Sequence, residues 1–162
     1  MSVYILGGAR TPSGTFMGPL SSVPAPKLGA AAITGAIKRS NVEKNNIESV
    51  FMGNVIQAGV GQAPARQAAM FAGLNESTTC VTINKVCGSG LESVIEAYRA
   101  IALSDIELAV AGGMENMSMA PHLIPNMRAG LKFGEGKLKD AMQWDGLWDV
   151  YSDRPMGSCA EE

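Results

Sequence analysis

Residues 78–90, near the middle of the chain, read TTCVTINKVCGSG and give the clearest indication of the fold class. Residues 78–86 are rich in β-branched side chains, which favour a strand. Gly88 and Gly90 end this pattern, and the apolar periodicity of residues 90–103 predicts a helix directly after them. A strand joined to a helix by such a short turn is a building unit of α/β folds.

The same alternation extends to both sides of this unit. Short apolar runs predict strands at residues 3–8, 50–56 and 108–111. Periodic segments predict helices at residues 28–39 and 64–73. The first helix has an apolar face, which consists of Leu28, Ala32, Ile33, Ala36 and Ile37. Strands that alternate with helices at short intervals predict a mostly parallel sheet covered by helices.

The periodicity is lost after residue 115. Residues 115–151 are rich in Met, Pro and Gly and predict a long irregular region. Ala and Gly together occupy 40 of the 162 positions. This content predicts closely packed backbones and many tight turns.

Length and composition exclude several classes of protein. The chain is long enough for one domain, and 46% of its residues are hydrophobic, which argues against disorder. Because 13 Lys and Arg stand against 15 Asp and Glu, no positive excess is present to neutralise phosphates, and we expect no nucleic-acid partner. No apolar run is long enough to span a bilayer, so we expect no membrane partner either.

The cysteines indicate a reducing compartment. There are three, Cys80, Cys87 and Cys159, and their spacing matches no metal site, so we expect neither a disulfide framework nor a bound metal. The first residues enter an apolar run without a basic leader, which predicts a cytoplasmic protein. A mitochondrial location would require a leader peptide that has been removed from this sequence.

Two further features could indicate a functional site but are better explained as structural. GVGQAP at residues 59–64 has a proline where a dinucleotide-binding fingerprint needs its third glycine, so we interpret it as a tight loop. His122 is the only histidine and lies between two apolar residues. We interpret it as a structural loop residue rather than a catalytic base.

Cys87 is the strongest candidate for a catalytic residue. A cysteine at a strand-to-helix turn lies at the end of a sheet, where α/β sites form. The N–H groups and dipole of the following helix stabilise a thiolate and offer donors to a developing oxyanion. Gly88 and Gly90 leave room for a substrate carbonyl to approach the sulfur. The alternative is a buried structural cysteine, the role that we assign to Cys80 within the strand.

The residues around Cys87 resemble the acyl-enzyme signature of the thiolases over residues 83–101. Four other stretches resemble the family in the same order: GARTP at 8–12, QAGVGQAPARQA at 57–68, AGGMENMSMAP at 111–121 and MGSCAE at 156–161. The chain departs from the family pattern at Glu162, where Asn is usual. The loop pattern of residues 127–151 is most similar to the acetyl-CoA acetyltransferase branch of the family.

This resemblance implies an α/β, thiolase-like fold of which the chain is the N-terminal half. Residues 1–116 would form a mixed, mostly parallel sheet with covering helices. Residues 117–162 would form an irregular loop region and the start of a truncated helix. Family members are homodimers or homotetramers, so the resemblance also implies a homo-oligomer.

The resemblance further implies an acyltransferase that condenses two acetyl-CoA molecules to acetoacetyl-CoA, or catalyses the reverse thiolysis, through an acyl-enzyme on Cys87. The backbone N–H of Cys87 would be an oxyanion donor. Gly88, Leu147 and Met156 would contact the substrate; the alternative for Leu147 and Met156 is ordinary core packing. Coenzyme A thioesters are implied as substrates, with no permanently bound cofactor and no metal.

The resemblance covers only the first of the family's two halves. The family's activating histidine, its second cysteine and a water-holding asparagine belong to the other half, and neither His122 nor Cys159 occupies those motif positions. We therefore expect the 162 residues alone to be inactive, since general-base help is worth roughly 10²–10⁴-fold. Two alternatives stay open. One is a catalytically inactive truncated isoform or fragment that associates with intact thiolase subunits, and the other is a ketoacyl synthase, which residues 111–121 fit less well.

Overall fold

The computed structural model describes residues 2–161 and is built on a parallel sheet of three strands. These are β1 (Ser49–Gly53), β2 (Thr79–Ile83) and β3 (Ala109–Gly113), arranged in the order β2-β1-β3. Both pairings are parallel, and Gly53 at the end of β1 lies opposite Ile83 of β2 and Gly113 of β3. The predicted α/β fold with a mostly parallel sheet is therefore confirmed.

Three helices connect and cover the strands: α1 (Ala25–Ser40), α2 (Pro64–Phe71) and α3 (Ser89–Ala102). Each is close to its predicted position. Helix α1 starts earlier than predicted because Pro26 lies in its first turn, where a missing N–H costs no hydrogen bond. It ends at Asn41, whose φ of 54° gives a left-handed cap. Helix α2 ends just before Gly73, as predicted, and Gly73 has a φ of 73°.

The helices cover both faces of the sheet. Side chains alternate between the two faces of a strand. Val50 and Met52 of β1 are buried in one cluster with Ile33 of α1 and Ala68 of α2. Gly53, one position further on, faces Ser89 at the start of α3. The central strand β1 is thus covered on both faces, the arrangement typical of parallel strands, whereas β2 and β3 are only partly buried.

The buried face of α1 is shifted from the predicted one. Its buried residues are Ala25, Pro26, Gly29, Ala30 and Ile33. Of the predicted face only Ile33 is fully buried, and Leu28, Ala32, Ala36 and Ile37 are half-buried. The last three line a cavity of about 780 Å³, and Ile37 also packs against the buried core.

The predicted strand at residues 3–8 is wrong. This segment carries no strand in the structure, and Tyr4, Ile5 and Leu6 are exposed to 76%, 88% and 56%. The same cavity separates residues 2–9 from β3. A strand needs a neighbour at hydrogen-bonding distance. Within residues 2–161, the only hydrogen bond to residues 2–9 comes from Arg39, which donates to Gly8 O at 3.0 Å.

The region after β3 is irregular, as predicted. Its elements are all short: β4 (His122–Leu123), β5 (Lys139–Asp140), α4 (Ala141–Gly146), β6 (Trp148–Asp149), β7 (Arg154–Pro155), α5 (Met156–Ala160) and two 3-10 turns, at Met117–Met119 and Met127–Ala129. Residues 122–139 are exposed throughout. The division of the chain into a domain core at residues 1–116 and a loop region at residues 117–162 stays a prediction.

Candidate active site

The turn between β2 and α3 carries Cys87 and has a strained backbone. Val86, the residue before Cys87, has a φ of 49°, in the left-handed region that β-branched residues disfavour. Asn84 supports this conformation, because its Oδ1 accepts a hydrogen bond from the Val86 N–H at 3.0 Å. Such strain costs about 1–3 kcal/mol and persists only where surrounding groups enforce it. The turn is therefore held in place by its neighbours.

Ser89 is the second group that holds this turn. Its side chain is buried, and Oγ accepts a hydrogen bond from the Lys85 N–H at 2.8 Å and donates one to Val86 O at 2.6 Å. Lys85 is also tied to the first turn of α3, since its Nζ lies 2.5 Å from Glu92 Oε2. Both sides of the turn are thus joined to the same helix.

Cys87 itself is accessible. Its side chain is exposed, and within residues 2–161 its backbone N–H makes no hydrogen bond of normal geometry. Helix α3 begins two residues later, so Cys87 lies at the positive end of a helix of 14 residues. An exposed thiol beside an unpaired backbone donor is an arrangement suited to acyl transfer onto sulfur. The role of Cys87 as nucleophile stays a prediction.

Two glycines allow α3 to lie directly on the ends of the strands. A Cβ on Gly53 would lie 2.7 Å from the Cβ of Ser89, and a Cβ on Gly113 would lie 3.4 Å from the Cα of Gly90. The first distance is too short for two carbon atoms in contact, so Gly53 is required by the position of the turn. Gly88 differs, because a Cβ there would meet its nearest atom, Lys85 O, at an ordinary 3.4 Å.

Glu115, two residues after β3, binds the loop that follows β1. Oε1 accepts from Asn54 Nδ2 at 2.7 Å and from the Ile56 N–H at 3.4 Å, and Oε2 accepts from the Val55 N–H at 2.8 Å. Burial raises the pKa of the Glu115 carboxyl, and the hydrogen bonds from Val55, Ile56 and Asn54 oppose this rise. One half-buried carboxylate thus accepts hydrogen bonds from three donors of residues 54–56.

The remaining titratable candidates lie away from this turn. Cys80 lies within β2, as predicted, but it is half-buried rather than buried. Burial raises the pKa of its thiol, although Arg66 opposes the rise. Cys159 Sγ lies 3.8 Å from Asp149 Oδ2 near the end of the chain. The Ser152 hydroxyl, and then the Tyr151 N–H, lower the pKa of the Asp149 carboxyl. His122 is exposed on β4, opposite Asp140.

The structure joins Leu147 and Met156 to each other. The Met156 N–H donates to Leu147 O at 2.9 Å, at the open end of the hairpin formed by β6 and β7. Their side chains are exposed to 42% and 41%, so simple core packing does not describe them. Their predicted contact with a substrate stays a prediction, as does that of Gly88.

The cavities described for residues 2–161 lie away from the cysteine turn. Two cavities in the described part of the chain, of about 240 and 780 Å³, are lined by residues other than Cys87. Among residues 2–161, no three His, Cys, Asp or Glu side chains lie close enough together to hold a metal ion. The same residues include no helix that is long and apolar enough to cross a membrane.

The parallel sheet, its helices and the exposed cysteine at a strand-to-helix turn define an α/β protein with a potential nucleophile at the edge of the sheet. The family model "Thiolase, N-terminal domain" matches residues 3–162. The chain therefore belongs to the thiolase family, and the resemblance seen in its sequence is confirmed.

Curated relatives agree with this family. The chain is 53% identical over 159 residues to acetyl-CoA acetyltransferase 2 of Arabidopsis thaliana. The alignment covers 98% of this chain and 40% of the relative. It is 48% identical to the mitochondrial acetyl-CoA acetyltransferase of Mus musculus, over 98% of this chain and 37% of the relative. It is 46% identical to the cytosolic acetyl-CoA acetyltransferase ERG10 of Gibberella zeae, over 98% of this chain and 40% of the relative. The chain thus spans about two-fifths of the length of the curated relatives it matches.

Reasoning from the sequence missed the polar groups that hold the turn: Asn84, Ser89, Asn54 and Glu115. Asn84 and Ser89 are within the quoted signature, but their hydrogen bonds depend on the turn geometry. Glu115 gave a signal that could have been used, since a carboxylate directly after a buried strand must find donors or be exposed. Its partners lie about 60 positions earlier in the chain, and periodicity cannot reveal them.

Proposed function

We propose that this chain contributes the nucleophilic cysteine of an acetyl-CoA acetyltransferase. The reaction is the condensation of two acetyl-CoA molecules to acetoacetyl-CoA, or the reverse thiolysis. One observation carries the proposal: an exposed cysteine, Cys87, lies on a strained turn at the start of α3, in a chain of the thiolase family. Relatives at about half identity are named acetyl-CoA acetyltransferases, which supports the choice of substrate.

In the first step, the Cys87 thiolate attacks the carbonyl carbon of acetyl-CoA. The new C–S bond to Cys87 forms, the C–S bond to coenzyme A breaks, and coenzyme A leaves as a thiolate, which takes up the proton that the Cys87 thiol released. The N–H of Cys87 is proposed to donate to the oxyanion of the tetrahedral intermediate. A preorganised donor of this kind contributes about 2.7–4 kcal/mol to transition-state stabilisation in well-studied cases. Its lack of a partner within residues 2–161 supports this role.

The substrate is proposed to contact Gly88, Leu147 and Met156. Gly88 has no side chain that could block access to the turn. Packing does not require glycine here, since a Cβ would lie at an ordinary 3.4 Å from Lys85 O. Leu147 and Met156 are neighbours with exposed apolar side chains. Exposed apolar groups of this kind suit the pantetheine arm of coenzyme A.

The second step needs a base that removes a proton from the α-carbon of a second acetyl-CoA, so that the carbanion attacks the acyl-enzyme. The one histidine of this chain, His122, is exposed on β4, and Cys159 contacts Asp149 rather than the Cys87 turn. We therefore assign the base to a part of the protein beyond these residues. The substrates are coenzyme A thioesters, with no permanent cofactor.

The assembly and compartment follow from the same family. We propose a homodimer or homotetramer for the full-length protein. A cytoplasmic location fits the sequence, and relatives include both cytosolic and mitochondrial forms by name. A mitochondrial form would need a leader peptide.

A second candidate function is a catalytically inactive isoform or fragment that associates with intact thiolase subunits. The observation that favours it is that, within residues 2–161, neither His122 on β4 nor Cys159 beside Asp149 contacts the Cys87 turn as a base. Reading the gene past codon 162 separates the two. A direct stop codon contradicts the enzyme, and continuation into a second half with a histidine and a second cysteine contradicts the inactive fragment.

The nucleophile is tested by trapping labelled acetate from acetyl-CoA on the full-length protein by acid quench. Cys87→Ala should retain no label, because no other sulfur of this chain lies on the α3 turn. Cys159→Ser is the matched control, since this thiol is also partly accessible, and it should retain full labelling. Acetate that is still trapped on Cys87→Ala would contradict the assignment.

A further inference from the structure

A chain of hydrogen bonds runs from Glu115 to the residue that precedes Cys87. We propose that Glu115 is a positioning residue for Cys87, which acts through the loop at residues 54–56 and through Asn84. This proposal rests on the proposed role of Cys87 as the nucleophile. Glu115 touches neither Cys87 nor, in this proposal, the substrate.

The first link joins Glu115 to the loop after β1. All three hydrogen bonds of the Glu115 carboxylate come from residues 54–56. Asn54 is buried to 1% exposure and also donates to Met114 O at 3.3 Å, while its Oδ1 has no partner within residues 2–161. A buried oxygen without a partner costs free energy. Since Oδ1 has no partner to hold it, the orientation of the Asn54 amide depends on the two hydrogen bonds that Nδ2 donates. The one to Glu115 is the shorter of the two.

The second link joins the same loop to the cysteine turn. Val55 donates its N–H to Glu115, and Val55 O accepts from Asn84 Nδ2 at 3.4 Å. The other end of the Asn84 amide, Oδ1, accepts from the Val86 N–H at 3.0 Å. Because a side-chain amide is planar and rigid, a shift of the Val55 carbonyl moves the group that holds Val86 in its positive φ.

A backbone hydrogen bond runs beside this side-chain link. The Asn54 N–H donates to Ile83 O at 3.0 Å, one residue before Asn84. The loop that Glu115 holds is thus tied to the end of β2 twice. The strained φ of Val86 persists only because neighbouring groups hold it. Glu115 is the first residue of the hydrogen-bonded series that reaches Val86 through Val55 and Asn84.

The neighbouring residue provides a matched control. Asn116 is also held through its side-chain amide, but by other partners. Its Nδ2 lies within hydrogen-bonding distance of Leu20 O, Ser21 O and Val23 O in the loop before α1, and its Oδ1 accepts from the Ser118 N–H at 3.0 Å. That loop makes no contact with the Asn84 link in the hydrogen bonds of residues 2–161. Asn116→Ala should therefore cost stability without moving Cys87.

The experiment measures the rate of Cys87 alkylation by iodoacetamide in the full-length protein, followed by peptide mass spectrometry, together with thermal unfolding. Glu115→Ala and Asn84→Ala should each slow alkylation about tenfold, a factor within the usual range for residues of one network. The double variant should be no slower than the slower single variant, since both changes break the same chain. Glu115→Gln keeps one acceptor oxygen and should recover part of the rate.

Three results would overturn the proposal. The first is a wild-type alkylation rate for Glu115→Ala. The second is a double variant whose alkylation rate falls by the product of the two single fold-decreases, which would mean that the two changes act independently. The third is an equal slowing in Asn116→Ala at equal loss of thermal stability, which would mean a general structural effect. Alkylation requires no acyl-CoA, so these results are separate from acetate trapping on Cys87→Ala, which tests the proposed function alone.

Discussion

The hydroxyl of Ser89 donates a hydrogen bond to the carbonyl oxygen of Val86 at 2.6 Å, and so spans the residue that carries the exposed thiol. The first residue of α3 is thereby bonded to the strained residue before Cys87. This contact makes the turn and the helix one rigid unit. It also makes Ser89 a sensitive point for both stability and acylation.

Replacement of Ser89 by alanine should lower the free energy of unfolding by about 1–3 kcal/mol, because two hydrogen bonds are lost. The Lys85 N–H loses its acceptor, and Val86 O loses the hydroxyl while it retains the Ser89 N–H. Acyl-enzyme formation should slow as well, since the turn is loosened. Ser93→Ala is the control. Ser93 is also buried on α3, but its hydroxyl binds Gly90 O and Gly112 O. It should lose similar stability with a smaller effect on acylation, and equal effects on acylation would contradict the role given to Ser89.

Replacement of Gly53 by alanine should destabilise the protein by about 1–3 kcal/mol through overpacking. The new Cβ would lie 2.7 Å from Ser89 and 2.8 Å from Gly90 N, and a helix backbone cannot yield as a flexible side chain does. Gly112→Ala is the control, because its Cβ would meet the flexible end of Met52 at 3.4 Å. Denaturant midpoints of both variants measure the difference, and an equal loss would show that the contact with α3 is not decisive.

The stability contributed by Glu115 should depend on pH with a defined sign. Burial raises the pKa of this carboxyl, so in the folded protein it holds a proton at a pH where the unfolded chain has released it. Its contribution is fully present below the ordinary carboxyl pKa and is lost as the pH rises through the raised value. Wild type should therefore lose stability relative to Glu115→Gln as the pH rises.

Thermal unfolding of both proteins from about pH 4 to pH 8 measures this difference. Asn116→Ala serves as a control, because it removes hydrogen bonds without removing a titratable group. Its difference from wild type should stay constant across the series. A difference between wild type and Glu115→Gln that stays constant, or that changes in the opposite direction, would contradict the prediction.

A polypeptide of residues 1–162 expressed alone should self-associate. Strand β3 lies at an edge of the sheet, and apolar side chains line the cavity beside it, among them Val94, Ile101 and Val110. Exposed strand edges and contiguous apolar surfaces promote association. Sedimentation velocity measures this outcome, and a stable monomer over a range of protein concentrations would contradict it.

The alternation of apolar runs and periodic segments was enough to locate β1, α2, β2, α3 and β3, because each of these elements buries side chains against a neighbour. The same reasoning failed for residues 3–8. Their apolar side chains predict a strand, but a strand forms only where another strand supplies hydrogen bonds. The structure places a cavity between this segment and β3, and local sequence carries no information about that distance.

The class of fold, the family and the place of Cys87 at a strand-to-helix turn could all be predicted from the sequence, whereas the exposure of Cys87 came from the structure. The first three depend on local pattern and on motif residues that are contiguous in the chain. Only the tertiary structure decided how that turn is held, by Ser89 from the helix and by Asn84 and Glu115 across the sheet ends. The physical reason is that a hydrogen bond between residues about 60 positions apart depends on strand order and register, which no local pattern of side chains encodes.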